Sequence, residues 1–256
     1  MKNELTIIII TGNESKMIED CIKSCAFADN IILVTTPVTS DDTVIKAKVI
    51  FPKIQVYPAS SDGVDFSTWR NTGAKYATTK WILYVDADER ITPPLKAEIL
   101  TAISQNKITN FDIPRANYFL GHRVRYGNSY PDYVKRLFLK SSFNGYQGKL
   151  HEQPNVSGLS SKMKNDFQHF THQDLHTMLD KSLKWTPLES DLLFNSKHPP
   201  IVWWRIIRMM LTKLWERLVA QQMWRDGTVG WISAIFETFD TFLIYSQLWE
   251  KQQHNV

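Results

Sequence analysis

The amino-acid sequence predicts an α/β domain, a mostly parallel sheet flanked by helices, followed by an amphipathic helical tail. Three observations carry this expectation. Short apolar runs alternate with segments of helical period over the first hundred residues. Polar or acidic turns close those runs, as at Thr11-Gly12-Asn13 and Asp86-Ala87-Asp88. Beyond Pro199-Pro200 the composition shifts, and six of the nine tryptophans (Trp203, Trp204, Trp215, Trp224, Trp231, Trp249) lie there. Strands alternating with helices at this spacing form parallel sheets with helices on both faces.

The elements follow in order. Leu5 to Ile10 is a continuous apolar run, the pattern of a strand buried on both faces. A helix comes next, with Ile18, Cys21, Ile22 and Cys25 on one face. Ile31 to Val34 is the second strand, Asp42 to Lys48 a short helix, and Ile54 to Tyr57 the third strand. A further helix carries Trp69, Gly73 and Tyr76, and Trp81 to Val85 is the fourth strand. Thr92 caps a helix opened by Pro93 and Pro94, with Leu95, Ile99 and Ile103 inward. After about residue 110 the pattern loosens. Phe111 to Leu120 and Tyr133 to Leu139 read as strands, and Lys181 to Asn195 is helical in character.

Composition narrows the function classes. The chain has 256 residues, 43% of them hydrophobic, which suits a folded globular protein rather than a disordered one. A net charge of +4 is too mild an excess to imply nucleic acid as a partner. Cys21 and Cys25 stand i, i+4 on a helix and read as two reduced, core-side thiols. The first apolar run is too short for a secretory segment, so the expected location is cytoplasmic.

The sharpest chemical signal is Asp86-Ala87-Asp88 at the end of a buried strand. Ligands on open α/β sheets bind at the carboxyl ends of strands. Two carboxylates separated by one small residue there suit Mg²⁺ or Mn²⁺ bound jointly with a diphosphate. The plain alternative is a strand ending in acidic residues at the surface. Two other stretches stand out. His169-Phe170-Thr171-His172 offers His169 as a further metal or phosphate contact, against an ordinary structural histidine; His172 and His176 read as surface or helix-capping residues. Arg123 and Arg125, with Tyr118, Tyr126 and Tyr130, make a basic-aromatic stretch that could face an acceptor or be a solvated hairpin.

Taken together, several segments make the chain resemble family 2 glycosyltransferases of the GT-A fold. They are Ile7 to Glu14, Trp69-Arg70-Asn71, Leu83 to Arg90, Arg136-Leu137-Phe138, Gly148 to Pro154, and the tail from Met223 to Thr228 through Leu248-Trp249-Glu250. Within that family the chain is most similar to a bacterial subgroup that includes lipopolysaccharide-core β-1,4-glucosyltransferases. The resemblance implies a nucleoside diphosphate sugar donor, a UDP-sugar, and transfer of a hexose with inversion to a glycan or lipid-linked acceptor. Thr11 and Glu14 would line the nucleotide pocket, Arg70 would reach the nucleotide or its phosphates, Asp86 would contact the ribose or donor sugar, and Asp88 would ligate the metal. An inverting transferase needs a base for the acceptor hydroxyl. Glu152, in a loop flanked by Gly145, Gly148 and Pro154, fills that role, with His151 orienting acceptor or phosphate. The chain departs from the family after the second strand. An Asp that reads the base is usual there, whereas this chain has Thr35-Thr36-Pro37-Val38-Thr39-Ser40-Asp41-Asp42. Asp41 matches a later acidic position or belongs to the N-cap region of the next helix.

The implied organisation is a GT-A catalytic domain over 1–197 and a helical, membrane-associating tail over 198–256. Residues 1–110 would form the nucleotide-binding half and 111–197 the acceptor half. In the tail Trp203, Ile207, Met210, Leu214 and Leu218 share a helical face, while Val229 to Trp249 is apolar but broken by Glu237 and Asp240. That pattern predicts a helical hairpin lying on the inner face of the cell membrane, or packing on the catalytic domain or in a homo-oligomer interface. Two further readings stay open: transfer to polyprenyl phosphate, and a degenerate, non-catalytic GT-A domain that only binds.

Overall fold

The computed structural model describes residues 4–59, 64–105, 107–148 and 152–254. The chain divides into two compact units, one of residues 1–115 and 132–169, the other of 116–131 and 170–256.

The first unit opens as three strand-helix repeats. These are β1 (Leu5–Thr11), α1 (Ile18–Cys25), β2 (Asn30–Thr35), α2 (Thr43–Ile50), β3 (Gln55–Pro58) and α3 (Phe66–Tyr76). Then come β4 (Trp81–Asp86), β5 (Glu89–Ile91) and α4 (Pro93–Ile103). The four long strands pair in parallel in the order β3-β2-β1-β4, with Ile10 opposite both Val34 and Asp86. This register brings the β1 turn and the acidic end of β4 to the same edge of the sheet. Every residue of β1 is buried, as its unbroken apolar run requires. Its side chains alternate between two cores. Leu5, Ile7 and Ile9 join Ile18, Cys21, Ile22, Leu95 and Ile99 on one face; Ile8 and Ile10 join Trp69, Tyr84 and Phe138 on the other. Both cysteines are free and buried.

Gly73 sets the distance between α3 and the sheet. A Cβ there would lie 2.3 Å from Ile8 Cγ2 and 3.1 Å from Val34 Cγ2, so only glycine permits the approach. The caps match their residue types: Thr92 accepts from the Leu95 amide at the start of α4, and Asp65 from the Thr68 amide at the start of α3.

The parallel order ends at β4. Its next neighbour is β8 (Asp132–Leu139), antiparallel, followed by β6 (Asn110–Phe119), β12 (Phe167–His172) and β5. Of β6 and β12, the first unit contains residues 110–115 and 167–169. β11 (Ser160–Lys162) adds to β6, and β9 (Phe143–Gln147) pairs with β10 (Gln153–Val156) in a separate ribbon.

The second unit holds the ends of β6 and β12, the short β7 (His122–Arg123), and three helices: α5 (Leu175–Asn195), α6 (Trp203–Trp215) and α7 (Thr228–His254). α5 begins six residues before the expected Lys181. The signal is a capping box at Asp174, whose carboxylate accepts from the Thr177 amide. His176 therefore sits in the first turn of α5, and His172 stacks on Phe119 with ring centres 4.8 Å apart. The loop after β7 is tied to the tail: the Arg125 and Tyr126 amides donate to the Asp226 carboxylate, and Arg217 donates to the Gly127 carbonyl. α6 packs on α7. The exposure of α6 differs from its expected face. Of that face, Met210 and Leu214, with Leu218 just past the end of α6, are half-buried, whereas Trp203 and Ile207 are exposed along with Trp204, Leu211 and Trp215.

Candidate active site

The site is built at the C-terminal edge of the parallel strands, entirely within the first unit. Arg70, from α3, is its hub. It is only 4% exposed; its Nε donates to Glu152 Oε1 at 2.9 Å and its Nη2 to Asp86 Oδ1 at 3.1 Å. Asp86, at the end of β4, also accepts from Nη2 of the buried Arg136 on β8 at 2.5 Å. Two arginines thus enclose one carboxylate, and one of them also holds Glu152. Tyr84 and Tyr146 wall the Arg70 guanidinium at 5.7 and 5.3 Å, and the Tyr84 hydroxyl donates to the Arg70 carbonyl. Asn71 exchanges two hydrogen bonds with the Tyr146 backbone, fixing β9 against α3.

The electrostatics follow from this packing. Burial alone would raise the Asp86 carboxyl, but Arg136 and then Arg70 override it and hold Asp86 well below the usual carboxylate range. Glu89 behaves oppositely. Fully buried and close to ionised Asp86, its carboxyl is pushed up, despite Arg136, His169 and Arg115. Glu89 Oε2 accepts from the Asp86 amide, which fixes the turn between the two aspartates. Arg90 locks the same turn from below, donating to the carbonyls of Ala87, Glu89 and Met17.

Asp88 and His169 meet because β5 and β12 pair antiparallel with His169 opposite Glu89. Asp88 Oδ2 lies 3.5 Å from His169 Nε2. A carboxylate oxygen and an imidazole nitrogen at this spacing suit one shared Mg²⁺ or Mn²⁺, with diphosphate oxygens and water completing the shell. Among the described residues no third His, Cys, Asp or Glu joins them. The donor set therefore fits an ion that arrives with its phosphate ligand.

The other expected residues lie as follows. Thr11 is buried at the end of β1, and its hydroxyl donates to the Gly12 carbonyl. Glu14 is half-buried, with its amide donating to the Thr43 hydroxyl. Asp41 accepts from the Ser15 and Thr43 amides, so it braces the β1 and β2 turns against each other. Burial opposes the charge on Asp41, but these hydrogen bonds, those from Thr43 foremost, outweigh it and lower its pKa. Asp41 is thus occupied within the turn. His151 lies outside the described residues. Sequence reasoning gave no role to Arg136, Glu89, Arg115 or Tyr146; the signals for the first two were their places in the resembling segments Arg136-Leu137-Phe138 and Leu83 to Arg90.

The comparisons decide the family. Residues 6–170 match the family described as Glycosyl transferase family 2. The chain belongs to that family. The match covers all three strand-helix repeats, the strands carrying Arg136 and His169, and Glu152 just before β10. Among curated relatives, glycosyltransferase SunS of Bacillus phage SPbeta and its prophage-derived counterpart in Bacillus subtilis (strain 168) are each 31% identical over 150 residues, 59% of this chain. The matched region covers 34% of the length of these relatives. Among solved structures, residues 1–349 of S. aureus TarS in complex with UDP are 11% identical, covering 98% of this chain and 92% of that one, with a TM-score of 0.51. Mannosyltransferase PcManGT from Pyrobaculum calidifontis, in complex with GDP-Man and Mn²⁺, is 11% identical over 97% of this chain and 88% of that one, with a TM-score of 0.50. At this identity the two structures speak for the fold alone, and the fold is the GT-A type that the resemblance implied.

Proposed function

We propose that this family 2 glycosyltransferase moves a hexose, glucose in the subgroup it resembles, from a UDP-sugar to a glycan or lipid-linked acceptor with inversion. The cell-envelope polysaccharide or lipopolysaccharide is the destination, built at the inner face of the membrane. One observation carries the reading: Arg70 joins Asp86 to Glu152 on one buried guanidinium, which supports assigning the first carboxylate to the donor and the second to the acceptor hydroxyl. Asp86, kept ionised by Arg136 and Arg70, accepts hydrogen bonds from the donor's ribose or sugar hydroxyls. Glu152 Oε1 is held by Arg70, and Oε2 takes the proton of the acceptor hydroxyl as its oxygen attacks the anomeric carbon. The diphosphate leaves on the opposite face. Asp88 and His169 would hold Mg²⁺ or Mn²⁺, whose charge offsets that of the departing diphosphate. Structures that share the fold are complexes with UDP, or with GDP-Man and Mn²⁺, and the donor and ion proposed here follow that likeness of fold. In functional terms we assign catalysis to residues 1–197 and attachment to the tail.

Thermal unfolding with Mn²⁺ and a panel of nucleoside diphosphate sugars tests this. A true donor at ~100 Kd adds roughly 2.7 kcal/mol of stability. A panel that leaves the transition unmoved, with no nucleoside diphosphate released on long incubation, would refute it.

A further inference from the structure

The helical unit leaves a long apolar face uncovered. On α6, Trp204, Ile207, Leu211 and Trp215 recur every three to four residues and are exposed, Leu211 and Trp215 each at 61%. On α7, Trp231, Ile235, Phe239 and Phe242 repeat the pattern. Beyond the end of α6, Leu218, Val219, Gln222, Trp224 and Arg225 line one open cavity of about 610 Å³ together with Trp231 of the α7 stripe. Large contiguous apolar surfaces of this kind mark interaction sites.

The charges around the face identify its occupant. Of the five acidic residues past Pro200, four are engaged internally. Glu237 pairs with Arg217, Glu216 with Lys213, Asp226 accepts from the Arg125 and Tyr126 amides, and Asp240 accepts from the Ser182 hydroxyl. Lys251 pairs with Asp191. That leaves Arg205, Arg208 and Arg225, which pair with no carboxylate among the described residues. Arg205 and Arg208 lie 5.7 and 5.9 Å from the Trp204 ring, and Arg225 lies 4.6 Å from that of Tyr126. Exposed indoles beside unpaired arginines are the composition of a headgroup-level surface. Among the described residues no helix is long and apolar enough to cross a membrane. A second copy of the chain would bring the same unpaired arginines against an equally positive face, whereas lipid phosphate supplies the counter-charge.

We infer that this face lies on an anionic lipid leaflet. The exposed stripes of α6 and α7 rest at the boundary of headgroups and acyl chains, and Arg205, Arg208 and Arg225 contact lipid phosphates. The lipid-contacting side of α6 is the Trp204–Leu211–Trp215 side; Met210 and Leu214 turn toward the protein. The inference rests on the attachment assigned to the tail above and deepens it, using none of the residues of the active site.

The test is co-sedimentation of the full chain with phosphatidylcholine vesicles, with and without phosphatidylglycerol. Binding should require the anionic lipid and weaken with salt. Replacing Trp204, Leu211 and Trp215 together by Ser should lower partitioning at least tenfold, while Val49→Ser, an exposed apolar position on α2, should change nothing. Arg205→Gln, Arg208→Gln and Arg225→Gln should each cost about fivefold on anionic vesicles only. Absence of pelleting, or equal binding to neutral vesicles at all salt concentrations, would overturn the inference. So would a concentration-dependent dimer in solution that the triple variant abolishes. Hydrolysis of soluble donor should survive the triple variant. Loss of donor hydrolysis in the unaltered protein with vesicle binding intact would sink the transferase reading alone.

Discussion

Replacing Arg70 by Lys separates the bridge from its charge. Arg70 spans two carboxylates through Nε and Nη2, at 2.9 Å to Glu152 and 3.1 Å to Asp86. A lysine ammonium is a single compact charge and reaches one of them. Asp86 keeps Arg136, so the lysine settles on one carboxylate and the Glu152–Asp86 link is lost. A hydrogen bond to a charged group contributes about 1.5–3 kcal/mol. Losing one that positions the base in the transition state lowers kcat/KM by about 10- to 150-fold, since 1.4 kcal/mol is a factor of ten. The buried positive charge is retained, so the variant should fold, with a small change in Tm. Steady-state release of nucleoside diphosphate, beside thermal unfolding, reads both quantities. A folded Arg70→Lys enzyme within twofold of the unaltered kcat/KM would show that the bridge does not position Glu152.

Three further outcomes follow from the same geometry. Glu152→Gln keeps size and a hydrogen-bonding oxygen but not basicity, so turnover should fall about 10²–10⁴-fold while donor affinity, measured by calorimetry, stays put. Gly73→Ala should destabilise by about 1–3 kcal/mol in urea titrations, because the new methyl meets Ile8 Cγ2 at 2.3 Å against an immobile strand. Asp86, whose folded pKa is depressed, contributes stability that is present above its unfolded value of about 3.9 and is lost as pH falls below it; Asp86→Asn should therefore flatten the acid limb of a Tm–pH profile below about pH 4, and an unchanged slope would count against the ion pairs.

Much of the fold of residues 1–110 was legible because its signals are local. An unbroken run such as Ile7-Ile8-Ile9-Ile10 has to be a doubly buried strand, and the acidic triplet at the end of β4 follows from the same alternation. Thr92 with Pro93 and Pro94 marks a helix start on local grounds alone. The charge network was not legible. Arg136 reaches Asp86 across 50 residues of sequence, and Glu152 reaches Arg70 across 82. The first depends on the antiparallel β4–β8 pairing and the second on the loop leading into the separate β9–β10 ribbon, and no local pattern encodes either placement. His169 stood out among four histidines in its region, but only the β5–β12 pairing brings it to Asp88. The expected face of α6 is part exposed and part covered for a related reason. The helix is apolar over most of its circumference, and packing on α7 decides which part is covered.

We propose that Asp88 holds a divalent ion for a nucleoside diphosphate leaving group, in a site that performs transfer. Release of UDP from UDP-sugars, with Mn²⁺ titrated from chelated buffer to saturation, addresses it for the unaltered protein and for Asp88→Ala. Metal-dependent release is expected from the former, and none from a variant that unfolds at the same temperature because Asp88 lies on a turn outside the core. Equal release by the two proteins at saturating Mn²⁺, or release indifferent to the metal, would contradict it.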